Sequence, residues 1–188
     1  MIDSVLDHLA MQLNQHFRRR AVLGEDMVVV SNLHEPGGGA VLLAENKLVL
    51  FIGGIERETA AHRARSDGIG LLRGAEPLYL NLLVMCAATF SGQGYPEALK
   101  FLSDAIAFFQ SRPVFDHQNS PDLDPRIERL VLNIENLSRS EMHSMWSIHG
   151  GRYLPSVLYR VRLVCLDGDM PSRRETPVRA PDVALERK

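Results

Sequence analysis

The stretch PLYLNLLVMCAATF, residues 77–90, decides how the rest of the chain is read. Positions 78, 80, 82, 84 and 86 are Leu, Leu, Leu, Val and Cys, and between them stand Tyr79, Asn81, Leu83 and Met85. Both alternating sets are mostly apolar, which predicts a long central strand buried on most of both faces.

C-terminal to this strand, Pro96 suits the first turn of a helix. Leu99, Leu102, Ile106 and Phe109 make its apolar stripe, and Pro113 ends it. A Pro/Asp loop spans Asn119 to Pro125. Leu130, Leu132 and Ile134 then alternate with Val131, Asn133 and Glu135, predicting another strand. Ser138 and Glu141 have the spacing of a capping box, with Leu137 and Met142 at staple positions. A short helix ending at Gly150 or Gly151 follows. Val157 to Leu166 is the last strand. Val157, Tyr159, Val161, Leu163 and Cys165 point one way, and Arg160 and Arg162 the other.

On the N-terminal side, residues 56–76 hold four arginines, four acids and three glycines without clear periodicity. They read as a long surface loop, a length that is usually functional or disordered. Val41–Leu43 and Lys47–Ile52 are strand candidates, either a hairpin or one bulged strand, before Gly53 and Gly54 break the pattern. His34–Gly39 is a turn and Met27–Val30 a short strand. The first 20 residues form an amphipathic helix through Ile2, Val5, Leu6, Leu9, Leu13 and Phe17. Asp3 and Asp7 at its start and Arg18, Arg19 and Arg20 at its end suit the helix dipole. The expected fold class is therefore α+β: a mixed sheet of about five to six strands flanked by about three helices. One domain covers residues 1–167. Residues 168–188, with three prolines, five basic and four acidic residues, are a tail expected to be disordered alone.

Composition narrows the function. The 188 residues are 45% hydrophobic and 23% charged, with a net charge of -2. Such a balance argues against a nucleic-acid binder dominated by phosphate contacts. The longest apolar run, Leu82–Ala88, is far short of the ~20 residues of a membrane helix. The N-terminal helix places acids before arginines, the reverse of a secretory leader, so cytoplasmic maturation is expected. Two cysteines exclude a disulfide scaffold and a four-cysteine zinc site.

Catalytic patterns are equally sparse. GIGLLRG, residues 68–74, has neither the spacing nor the strand–helix context of a dinucleotide loop. His143 and His149 are six apart and share no helical face. His8 and His16, eight apart, share one but have no third ligand nearby, so no metal or cofactor is expected. Cys86 and Cys165 sit in apolar strands as small buried hydrophobes. Ser91 and Ser156 lack the nucleophile elbow. The acid pairs Glu56/Glu58 and Asp122/Asp124 read as solvated charge. What remains points to a binding or structural protein. Arg160 and Arg162, about 7 Å apart on one strand face, are the first interface candidates, and Arg63 and Arg65 in the long loop are the others. Trp146, Tyr153 and Asn81 are expected structural anchors, the two aromatics packing the capped helix onto the sheet.

A family resemblance is carried by residues in order rather than by one motif. Its central part is Pro77 through Leu82, Phe90, Tyr95, Ala98-Leu99, Leu102, Ile106 and Phe108-Phe109-Gln110. Its C-terminal part is Leu137, Glu141, Trp146, Gly150-Gly151, Tyr153 through Val157, Tyr159 and Val161-Arg162. The opening helix and the Lys47–Glu56 segment fit as well. Over roughly residues 2–167 the chain resembles the cap, or tail-terminator, proteins of phage-tail-like contractile injection systems of the antifeeding-prophage and virulence-cassette type. The resemblance implies a tail-terminator-like fold and a non-enzymatic, hexameric ring with no cofactor. The ring would close the distal end of the inner tube and engage the last sheath layer. The implied partners are copies of itself and the tube and sheath proteins, with no nucleic acid and no membrane. Its implied location is the assembled particle, retained in or released from the producing cell. A baseplate adaptor or assembly factor of the same machine is the alternative, and a small-molecule or nucleotide-binding enzyme built on the 53–76 glycines is a further one.

Overall fold

The computed structural model describes residues 1–20, 24–35, 37–39, 41–58 and 79–165. Within them the chain runs α1 (Ile2–Arg20), β1 (Val28–Val30), β2 (Leu48–Arg57), β3 (Tyr79–Ala88), α2 (Tyr95–Ser111), β4 (Val114–Asp116), β5 (Ile127–Ile134), α3 (Arg139–Ile148) and β6 (Ser156–Cys165). The strands form one mixed sheet in the order β1-β2-β3-β6-β5-β4. The β1–β2 pair is parallel and the other four are antiparallel. The expected α+β architecture, with its apolar strand inside the sheet, is what the chain adopts.

The period-two pattern of β3 sorts the core onto two faces. Leu82, Val84 and Cys86 meet Tyr159, Val161 and Leu163 of β6 and the buried sides of α1 and α2. Met85 and Ala87 face the other way, joining Val49, Phe51, Leu158 and Trp146 under α3. The α1 stripe is as read, with Val5, Leu9, Leu13 and Phe17 at most 2% exposed.

The α2 stripe is rotated from the expected one. Ala98, Leu102, Ala105, Phe108 and Phe109 are buried, whereas Leu99 is 39% exposed. Small alanines let the helix lie close to β3, and large side chains flank the contact.

Other departures are local. Val41–Leu43, expected as a strand, is instead part of a 3-10 turn at Leu42–Ala44, with Leu42 86% exposed. Gly53 and Gly54 do not end β2. The register with β3 shifts between Ile52 and Gly54, and pairing resumes to Arg57. A Cβ on Gly54 would lie 3.3 Å from Leu83 Cδ1, so glycine permits this bulge. Residues 56 and 57 thus belong to a strand rather than to the expected loop. The short β4 was not anticipated, and β5 begins earlier than the alternation suggests. A second register shift, between Ile127 and Arg129, puts buried Ile127 and Leu130 three apart and hides the period of two. Residues 59–76 of the expected loop, Pro77 and Leu78 of the expected strand, and the tail from 168 lie outside the described residues.

One buried amide fastens α1 to the sheet margin. Asn14 Nδ2 donates to Val28 O at 2.8 Å, and Val28 N–H donates to Asn14 Oδ1 at 2.8 Å. The side chain substitutes for a neighbouring strand at the outer edge of β1. Replacing Asn14 by Leu keeps an apolar helix face but leaves a buried N–H and C=O unpaired. The expected loss is about 2–4 kcal/mol, read from urea unfolding of Asn14→Leu against the parent.

Candidate interface site

Among the described residues, α3 covers the second sheet face towards one end. Beyond Phe51, Met85 and Leu158 it turns polar, because β6 alternates. Tyr159, Val161 and Leu163 are buried while Arg160 and Arg162 project from the opposite face. Register places Arg160 between Leu83 of β3 and Asn133 of β5, and Arg162 between Asn81 and Val131.

These arginines meet carboxylates of their own chain. Arg160 Nε bonds Glu135 Oε2 at 2.7 Å, and its Nη1 bonds Glu56 Oε2 at 2.5 Å. One guanidinium therefore links the end of β5 to β2, across β6 and β3. Arg162 Nε lies 3.2 Å from Glu58 Oε2, which also accepts from Asn81 Nδ2 at 3.1 Å. Asn81 is buried and its Oδ1 has no partner among the described residues. The hydrogen bond from Arg160 holds the Glu135 carboxyl below its ordinary value. The bonds to Glu135 and Glu56 push the Arg160 guanidinium further up. Arg160 is 28% exposed and Arg162 47%, so Arg160 is committed within the chain and Arg162 reaches further into solvent.

Arg160 and Arg162 lie on one face of the last strand, as its alternation predicts, and Glu135 meets Arg160 alone. The sequence missed Glu56 and Glu58 as partners, since both were read as loop acids. Only the bulge at Gly53-Gly54 carries β2 far enough to deliver them. Arg63 and Arg65 lie outside the described residues.

The anchors divide. Ser138 Oγ accepts from Glu141 N–H at 3.2 Å, while Ser138 N–H donates to Glu141 Oε2 at 2.8 Å, a complete capping box. The box orients α3 so that Trp146, 5% exposed, enters the second core. Tyr153 does not pack onto the sheet as expected. It is 59% exposed and meets the Trp146 ring edge at 5.6 Å from outside. Gly150 and Gly151, at φ +79° and +71°, turn the chain out of α3 in a conformation other residues resist, and this throws Tyr153 to the rim.

A groove of about 860 Å³ lies between α3 and the segment after β1, with His34, His149, Arg152, Phe51 and Ile148 among its walls. Burial, with His34 nearby, lowers the His149 pKa. The one hydroxyl on those described walls, Ser31 Oγ, donates to Asn32 O. Burial pushes the Cys86 thiol up to about 12, which removes it as a nucleophile at neutral pH. Among the described residues no three His, Cys, Asp or Glu converge as a metal site. No described helix is long and apolar enough to cross a membrane.

The sequence matches the Pvc16 N-terminal domain over residues 4–180. The chain belongs to this family. No curated protein matches it in sequence. Among solved structures it is similar to the PVC sheath/tube terminator in the extended state of an extracellular contractile injection system. There the TM-score is 0.61 at 17% identity, over 100% of this chain and 64% of that one. It is also similar to the anti-feeding prophage tube-terminating cap, with a TM-score of 0.51 at 14% identity, over 92% of this chain and 59% of that one. This Pvc16-family chain thus shares the terminator fold and spans less than two thirds of the length of either structure.

Two outcomes are expected. Trp146→Ala should lose about 3–5 kcal/mol of stability, the cost of emptying a buried indole site, measured by thermal or urea unfolding. Arg160→Met should lose about 1 kcal/mol, as expected of a partly exposed ion-pair network. Glu135 has a lowered pKa in the folded chain, so the network's contribution is complete above the ordinary 4.5 and lost as pH falls through the lowered value. The parent and Arg160→Met unfolding curves should therefore converge in acid.

Proposed function

We propose that this chain is a structural cap, a tail terminator that closes the distal end of the inner tube and engages the last sheath layer of a contractile injection system. The observation that carries the reading is the superposition of all of this chain on a sheath/tube terminator, together with its membership of the Pvc16 N-terminal family. The role is non-catalytic. It requires only that one face bind the last ring and that no further docking face be offered. A tube of stacked rings grows through heterologous contacts that do not close by themselves. On this reading the cap is a homohexamer that matches a six-fold tube, and it ends as part of an extracellular particle.

The charged strip is proposed as part of the contact with a neighbouring subunit, the tube or the sheath. Exposed ion pairs are worth no more than about 1 kcal/mol each, too little for stability alone to favour two arginines on this face. Arginine can also bridge carboxylates bidentately across an interface. Arg160 is poorly suited to charge reversal, since a carboxylate there would face Glu56 and Glu135. Reversal at Arg162 would likewise set a carboxylate against Glu58, so the cleaner probe is its neutral replacement by Gln, at a side chain that reaches further into solvent.

Particles made without this chain should show uncapped ends and irregular lengths by electron microscopy, and a label on the chain should mark the end opposite the baseplate. Six-fold averaging should resolve it as a ring. Arg162→Gln should leave the chain folded and reproduce the uncapped, irregular particles. A label at the baseplate end would favour an adaptor, and normal particles without the chain would overturn the cap reading.

A further inference from the structure

Helix α1 carries two histidines on the side it turns to the core. His8 is 4% exposed, both ring nitrogens are buried without a hydrogen-bond partner, and its ring meets Phe115 edge-on at 5.5 Å. Two turns on, His16 lies 4.8 Å from the Phe108 ring of α2, and its Nε2 is likewise buried and unpartnered. Neither nitrogen of His8 is used to hold structure, His16 is half-buried with only its Nε2 enclosed, and both rings serve as aromatic surface.

From this arrangement we infer that His8 and His16 make the docking of α1 acid-labile, so that mild acid loosens this helix from the sheet. An imidazolium needs two hydrogen-bond acceptors or water, and among the described residues neither nitrogen of His8, nor Nε2 of His16, has either. The charged groups around each ring are few. His8 is approached by Asp122 of the segment after β4, which favours its charged form but does not outweigh burial. Cys86 and Tyr159, titratable groups of the same core, have burial-raised pKa values and stay neutral. His16 is faced by Arg19 and Arg20 of its own helix and by Arg112 and Asp104 of α2. Burial again acts first, and the three arginines oppose one carboxylate.

The sign follows. Both folded-state pKa values lie below the ordinary 6.5, so below that pH the undocked state binds more protons. Stability is then lost as pH falls from 6.5 towards the folded values. Each histidine can raise the opening constant by as much as about tenfold per pH unit in that window.

The test is amide exchange of the full chain at pH 7.5 and 5.5, expressed as protection factors so that the intrinsic pH dependence divides out. Protection in α1 should fall about tenfold or more at pH 5.5 in the parent. It should be largely retained in the His8→Phe/His16→Phe double variant, with exposed His143→Gln as a parent-like control. An equal fall in parent and double variant, or no fall in the parent, would overturn the proposal. Should the double variant fail to fold, imidazole shifts of the parent decide. A His8 ring that stays neutral below pH 6.5 supports the inference, and one that titrates in the native state at or above 6.5 refutes it.

Discussion

The fold depends on the seam between β3 and β6. Nine residue pairs, from Tyr79 opposite Val164 to Ala87 opposite Ser156, join two three-stranded halves, β1-β2-β3 and β6-β5-β4. Among the described residues no other strand pairing connects the halves, and the partners lie far apart in sequence. The pairing therefore carries a loop-closure cost that only buried side chains on both faces can offset. On the helical face Leu82, Val84 and Cys86 close the seam against Tyr159, Val161 and Leu163. On the other face Met85 and Leu158 do so under Trp146. The outermost strands have three residues each, and short edges resist edge-to-edge aggregation.

The same seam explains why one face is apolar throughout and the other only in part. Two long helices cover the first and bury Leu82, Val84 and Cys86 of β3 with Tyr159, Val161 and Leu163 of β6. The ten-residue α3 reaches only part of the second. Where it stops, β6 changes from Leu158 to Arg160 and Arg162, and β3 from Met85 to Asn81. The capping box sets the start of α3 and the two left-handed glycines its end. Local helix signals therefore determine where on the sheet apolar burial gives way to the charged strip.

What could be read from the chain was what rests on uninterrupted periodicity. The apolar strand of residues 77–90, the α1 stripe, the Ser138–Glu141 box and the two faces of β6 all follow from nearest-neighbour pattern. The parts that escaped involve a shift of register or a competition between neighbours. The bulge at Gly53-Gly54 looks like a strand end in sequence, so Glu56 and Glu58 were not seen as partners of Arg160 and Arg162. The bulge at Ile127–Arg129 masked the start of β5. In α2 the alanines, weak signals individually, displaced Leu99 from the interface. Tyr153 was placed inward because an aromatic beside Trp146 reads as core, whereas the backbone at Gly150-Gly151 sends it to the rim. Asn14 gave no signal, because an amide on a helix looks the same whether it faces water or a strand edge.

The two faces of the sheet also answer to acid at different points. The Arg160 network is intact while Glu135 is ionised, and the folded-state pKa of Glu135 lies below 4.5. The histidines of α1 begin to oppose docking once pH falls below 6.5. Between those limits the helical face is strained while the ion pairs linking β2, β6 and β5 persist. A chain brought into that interval would loosen α1 first and keep the charged strip assembled. If the strip is where a partner binds, the order matters: contact through the second face outlasts the hold of the first helix, because a buried neutral imidazole is disturbed by milder acid than a carboxylate held by arginine.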